Sequence, residues 1–333
     1  MDRCEAAAGY HFSRTRATIW AMGIQAILVA GDRGASRAVR GTSKAFVEVA
    51  GRPMVVHVLE ALLHTPEVSE VYLVGNASRL QAAVAEHGCL GLAAAQGCPI
   101  HFVPQRDTLY ANVWHTFLRT LGPGRADPGH AVLVVPADIP LVIPEELSQF
   151  VTRAQASGGD YVVGLSPESA LELFAPSDGA PGIRMAFFNL REGRFRQNNL
   201  HWVRPLCMGN RHYVDEMYEN RYQKELGSQL RLAWRVIRRE WRNLWVLGIY
   251  FMIHLAGVLH RRGHLAAADR VRAFAPLATI ERASSALLRT RFRTVTTELG
   301  GAAIDVDNDA DLEVVEKMLE RWKALQVRVA RAA

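Results

Sequence analysis

Cysteine is scarce in this chain of 333 residues, and the four present (Cys4, Cys89, Cys98 and Cys207) form no C-x-x-C pair. A disulfide framework or a thiolate zinc site is therefore not expected, and a reducing cytoplasm is the default setting. No H-E-x-x-H and no G-x-S-x-G occurs, which removes the zinc-protease and serine-hydrolase readings. There is no zinc-finger spacing, no RNP-like motif and no basic tail, so nucleic acid is not an expected partner. Residues 1–21 lack an apolar core with a small-residue cleavage site, so no secretory signal is read. They are expected to be an N-terminal extension, with the main domain over 22–333. The most apolar run, Leu244–Leu259, is short of the ~20 residues that span a bilayer and contains His254.

What the chain has is a large apolar fraction, 49%, enough for a sizeable core. Its formal charge is +6, from arginine-rich patches that suit phosphorylated ligands or an anionic surface. Apolar runs at 26–30, 71–74, 100–103 and 131–135 alternate with helical periodicity at 54–63, 79–86 and 112–121. That rhythm predicts a mainly parallel sheet with helices on both faces. Helix 145–156 and strand 161–165 follow, then strand-like 184–190 and a turn at Glu192-Gly193. Residues 215–290 read almost wholly as helix, an insertion before strands at 293–297 and 303–306 and a last helix, 309–329.

The first strand ends at Ala30-Gly31 in a polar loop holding Gly34, Arg37, Arg40, Gly41 and Lys44, and Pro53 opens the following helix. Small residues let backbone N–H groups approach an anion, and cations neutralise it. An ordinary glycine turn is the simpler alternative. The fourth strand runs into Val135-Pro-Ala-Asp138-Ile-Pro140, placing a carboxylate where open α/β sheets bind ligands. It is suited to Mg²⁺, which takes one or two carboxylates with phosphate oxygens and water. A helix-capping aspartate is the alternative. Near the end, Asp305-Val-Asp307-Asn-Asp309-Ala-Asp311 offers Asp309 as N-cap and Asp311 at the positive end of the last helix. Asp305 or Asp307 then remains as a second metal ligand.

Taken together, AGDRG…SKAFVEVAGRPM, VYLVGNASR (71–79), VVPADIPLV (134–142) and IDVDNDADLEVVEKML (304–319) resemble the MobA-like NTP transferases, relatives of molybdenum-cofactor guanylyltransferases and sugar- and polyol-phosphate nucleotidyltransferases. The resemblance spans roughly 23–322. It implies a three-layer α/β/α, GT-A-like (Rossmann-like) fold with a helical insertion at about 215–290. It also implies Mg²⁺-dependent transfer of a nucleoside monophosphate from an NTP to a phosphorylated small-molecule or lipid-linked acceptor. Carried over, Lys44 and Asp138 are catalytic, and Asp138 and Asp307 hold Mg²⁺. The nucleotide set is Ala30, Gly31, Asp32, Arg33, Gly34, Arg37, Lys44, Asn76 and Gln105. Asp32 replaces the usual second glycine and brings a carboxylate beside a polyanion. Asn198, Asn199 and His201 match the start of the acceptor contacts, and read equally as a surface turn.

A nucleotide-sugar glycosyltransferase would share the fold but usually has Asp-x-Asp at the strand end, where this chain has Asp138-Ile-Pro140. A non-catalytic nucleotide-binding scaffold is the rival of a different class. Between 226 and 245 an apolar stripe (Leu226, Leu230, Trp234, Ile237, Trp241) lies opposite arginines 231, 235, 238, 239 and 242. Packing of 226–262 on the sheet is the expectation. Peripheral contact with an anionic membrane, at its inner face, is the alternative.

Overall fold

The computed structural model describes residues 23–31, 38–122, 127–177, 179–211, 213 and 245–332. The 226–244 stripe, the 1–21 extension and four expected nucleotide ligands (Asp32, Arg33, Gly34 and Arg37) lie outside those residues. The apolar run Ile24–Ala30 forms β1 and the next forms β2, Val68–Gly75, both short and almost continuously buried, as central parallel strands are. β3 (Ile100–Pro104) and β4 (Val132–Pro136) complete the parallel half. Further strands are β5 (Tyr161–Pro167), β6 (Phe188–Leu190), β7 (Gly193–Val203) and β8 (Phe292–Thr296).

The order across the sheet is β8-β5-β7-β4-β1-β2-β3, with β6 hairpinned onto β7. β1 to β4 are mutually parallel, β8 is parallel to β5, and β7 runs antiparallel between β4 and β5. The interior position of β7 rules out the surface-turn alternative for Asn198, Asn199 and His201. Its polar Arg-Gln-Asn-Asn stretch hides the strand because a bulge between Gln197 and His201 breaks the alternation. The strand expected at 303–306 is instead a tight turn, Gly301–Ala303, followed by extended chain. That chain meets a loop, not a strand edge.

Helices α1 (Met54–Leu63), α2 (Ala77–Glu86), α3 (Cys89–Gln96) and α5 (Pro144–Ala156) supply one face of the core. All of α1 but Glu60 is buried. α3 escapes sequence reading because it is short, with left-handed Gly88 and Gly97 at its ends. On the other face α4 (Leu109–Thr120) packs Phe117 onto Ile27, Val74 and Val132. α6 (Trp245–Arg261), α7 (Leu265–Arg272) and α8 (Leu277–Leu288) lie in the chain between β7 and β8. α9 (Asp309–Ala332) buries Leu312, Val315, Leu319 and Trp322 against Val47, Val49, Met54, Leu141 and Val306, a second core joining both ends of the chain.

One buried polar group holds the sheet to the chain leaving β8. Glu146 of α5 is fully buried and accepts from the Ala302 N–H at 2.9 Å and the Thr297 hydroxyl at 3.4 Å. Burial drives its pKa up to about 7, against those donors, from an ordinary value of 4.5. The folded protein thus binds more protons than the unfolded chain between those pH values. Stability from this group is complete below about pH 4.5 and falls by roughly 3 kcal/mol as pH rises to 7. Glu146→Gln keeps the shape and removes the titration. Urea denaturation at pH 5 and pH 8 should show a much smaller loss of stability in the variant than in the wild type, and equal losses would exclude this account.

Candidate active site

Lys44 owes its position to two tight hairpins. Residues 38–39 pair with 42–43 across Arg40 and Gly41, and 48–49 pair with 52–53 across Ala50 and Gly51. All four turn residues have positive φ, as two-residue hairpin loops of this twist require. Between the hairpins a single 3₁₀ turn, Lys44–Phe46, presents the lysine. The second hairpin is pinned by the Met54 N–H to the Val47 carbonyl and by His57 Nε2 at 2.9 Å from the Val49 carbonyl. The first is fastened to α9: the Arg40 N–H donates to Asp309 Oδ1 at 3.0 Å, and its guanidinium grips Glu316. Arg40, one of the loop cations, is thereby committed to α9.

The expected N-cap Asp309 is consequently corrected. Asn308 caps α9, its Oδ1 accepting from the Asp311 N–H at 3.0 Å, while Asp309 serves the hairpin. Asp138 follows β4, and the chain from Gly301 to Asp307 is laced to the same loop. The Val306 N–H donates to the Asp138 carbonyl at 3.0 Å. Gln326 of α9 accepts from the Gly301 N–H at 2.9 Å and donates to the Leu141 carbonyl at 3.0 Å.

These constraints bring Lys44, Asp138 and Asp307 together. The Lys44 ammonium lies 3.2 Å from Asp138 Oδ2 and also bonds Asp307 Oδ1. Lys44 and Asp138 are largely covered, whereas Asp307 is 56% exposed at its side chain. Burial alone would lower the lysine pKa, but Asp138 and Asp307 outweigh it and hold the ammonium above its ordinary value. Burial pushes Asp138 up; Lys44 pulls it down, and Asp305 and Asp307 push it up again. Asp305 is occupied by Arg196 of β7, at 2.8 Å, whose Nε also donates to the Ala303 carbonyl. Sequence reading missed Arg196, whose signal was a cation in a polar stretch now seen to be a strand.

The rest of the nucleotide set divides. Ala30 and Gly31 end β1 beside Gln105: a Cβ on Gly31 would stand 3.3 Å from Gln105 Oε1 and 3.5 Å from Asn112 Nδ2. Asn112, also missed, is a buried amide inside α4 that accepts from the Arg106 N–H. Asn76 accepts from the Arg79 N–H and so caps α2. The expected acceptor residues diverge. Asn198 is fully buried, bonding Thr297 and the Leu200 N–H, and Asn199 donates to the Ala302 carbonyl. His201 contacts the Tyr161 hydroxyl at 3.0 Å in a cavity of about 90 Å³, lined in part by Leu109, Trp114, Val134 and Met208.

The mainly parallel sheet sets the Lys44 loop and the strand-end Asp138 at its carboxyl edge, and it is the family match, not this geometry, that makes the chain a nucleotidyltransferase. The chain belongs to the MobA-like NTP transferase domain family, whose model matches residues 26–240. It is 27% identical over 157 residues to a molybdenum cofactor guanylyltransferase of Shewanella woodyi, covering 46% of this chain and 70% of that one. A hypothetical transferase from Thermus thermophilus superposes with a TM-score of 0.52 at 23% identity, over 87% of this chain and all of the other, and shares the fold. Asp307 falls beyond the matched residues, yet the fold returns it to Lys44 and Asp138.

The closeness of the two laced segments is testable. A Cβ on Gly301 would lie 2.2 Å from the Leu141 carbonyl oxygen, backbone that cannot yield. Gly301→Ala should cost roughly 1–3 kcal/mol of stability in chemical denaturation. Gly91→Ala, on the open surface of α3 with nothing within 4 Å, should instead gain up to ~1 kcal/mol.

Proposed function

We propose that the protein catalyses Mg²⁺-dependent transfer of a nucleoside monophosphate from an NTP to a phosphorylated acceptor, in the cytoplasm where NTPs are supplied. The observation that carries this reading is the ammonium shared by Asp138 and Asp307. One cation reaches both carboxylates, so the pair suits a single Mg²⁺ completed by phosphate oxygens and water. The three clustered carboxylates, with Lys44 and Arg196 as their cations, favour additional positive charge. Asp138 and Asp307 would hold Mg²⁺, which supplies charge neutralisation on the triphosphate.

In the reaction an acceptor phosphate oxygen attacks the α-phosphorus. A new P–O bond forms, the bond from the α-phosphorus to the bridging oxygen breaks, and pyrophosphate leaves with that electron pair. The nucleophile is already anionic, so no Ser–His pair is needed. Lys44 balances charge developing on the α-phosphate, and Ala30, Gly31 and Gln105 border the nucleotide. The guanylyltransferase relative makes GTP the first nucleotide to try. A thermal-shift screen of four NTPs with Mg²⁺, followed by pyrophosphate release with phosphorylated acceptors, tests the reading.

Lys44→Ala and Asp138→Asn should each lower pyrophosphate release by ~100-fold or more with the fold intact. Near wild-type release from either variant would overturn the assignment. A second expectation follows from the lysine now sitting between the carboxylates. Lys44→Met should bind Mn²⁺ more tightly than the wild type in calorimetry without nucleotide, because no ammonium competes. Unchanged or weaker binding would mean that the two carboxylates are not a cation pair.

A further inference from the structure

The α6–α7 pair carries a surface that nucleotide transfer does not use. α6 sits on the β6 hairpin at Ala256 and Gly257, which are buried, and a Cβ on Gly257 would meet Asn189 Nδ2 at 3.2 Å. The chain after α7 is tied to the same strand end, since the Arg191 N–H donates to the Ala275 carbonyl and its Nε to the Ala273 carbonyl. Away from these contacts the segment shows large apolar groups to solvent. Phe251 is 65% exposed, Leu265 54% and Phe274 67%, the three most exposed large apolar side chains among the described residues. Gly248 and His254, which the packed expectation would place in helix contacts, are exposed as well.

The ionised groups of this segment are mostly cationic; the carboxylate of Glu192 also reaches it, accepting from the Leu277 N–H at 2.9 Å. α6 contains no acidic residue. From Trp245 to Phe274 the chain has Arg261, Arg262, Arg270 and Arg272 against Asp269 alone, which Arg272 pairs at 2.9 Å. Arg261, Arg262 and Arg270 are exposed, as is His264. No helix among the described residues is long and apolar enough to cross a membrane. Exposed rings and exposed arginines in one short segment suit an anionic interface, where the rings sit at the headgroup level and the guanidinium groups on lipid phosphates.

We infer that α6 and α7 dock the enzyme on an anionic phospholipid surface, with Phe251, Leu265 and Phe274 inserted and Arg261, Arg262 and Arg270 on the headgroups. Docking is separate from the chemistry at Lys44, so it stands whatever the acceptor is. It would hold the enzyme where a lipid-linked acceptor is presented.

The test is flotation of the intact chain with phosphatidylcholine vesicles, with and without phosphatidylglycerol. Co-flotation is expected with the anionic vesicles alone, strongest at low salt. Phe251→Ser with Phe274→Ser, and separately Arg262→Glu with Arg270→Glu, should each cut vesicle-bound protein at least tenfold. These groups are exposed, so both variants should keep the wild-type melting temperature. Absence of flotation at low salt overturns the inference, as does flotation that ignores both pairs of changes. Sedimentation that shows a dimer abolished by the Phe changes, without vesicle binding, would assign the face to a second copy of the chain instead.

Discussion

The lacing of the chain from Gly301 to Asp307 onto the loop after β4 is the constraint on which the site depends. Three contacts do it: Val306 to the Asp138 carbonyl, Gly301 against Leu141, and Gln326 bridging both. Asp307 comes from the far end of the chain, and only this lacing sets its carboxylate beside Asp138. α9 then carries the constraint to the other partner. Its apolar face packs on both hairpins around Lys44, and Asp309 and Glu316 clasp the first hairpin at Arg40. A single helix thus registers the lysine against the two aspartates, and the short ranges of ammonium–carboxylate contacts make that registration necessary.

Electrostatics explains why such rigidity is worthwhile. Three carboxylates gathered in a partly buried pocket repel one another, and bringing Asp138 out of water favours its neutral form. Lys44 and Arg196 relieve part of that cost, each by direct contact. What remains is a site in which carboxylates outnumber cations, a surplus of negative charge that a divalent cation would relieve. Preorganised charge of this kind needs no rearrangement when the reaction starts, which is where most electrostatic catalysis comes from.

Local patterns made the parallel half of the fold legible. Short apolar runs became β1, β2, β3 and β4, and the stretch Met54–Leu63 became α1 with the predicted ends. Asp138 could be singled out because it closely follows such a run, and Lys44 because it closes the glycine- and cation-rich loop after β1. β7 was not, since its pairing depends on partners on both sides and its own residues alternate poorly around the bulge. Asn308 took the capping role because Asp309 had a distant partner, Arg40, that no local rule can see. Arg196 failed to register for the same reason, since its partner Asp305 lies across the fold, whereas the bond of Asn112 is local, to the Arg106 N–H.

The same distinction separates the candidate nucleotide site from the proposed docking surface. The candidate site is built from segments whose backbones bond one another, so its geometry is over-determined. The α6–α7 surface meets the β6 hairpin at Asn189 and at Arg191 just after it, and leaves Phe251 and Phe274 exposed. Burying Phe251 and Phe274 would be favourable by roughly 1.5–3 kcal/mol each if a cover were available. Sheet and helices leave them exposed in a segment that also exposes Arg261, Arg262 and Arg270, so a broad apolar cover would have to bury those charges as well. An anionic interface accepts both, taking rings and guanidinium groups at different depths. Charge and apolarity in one surface therefore favour lipid over a second protein core.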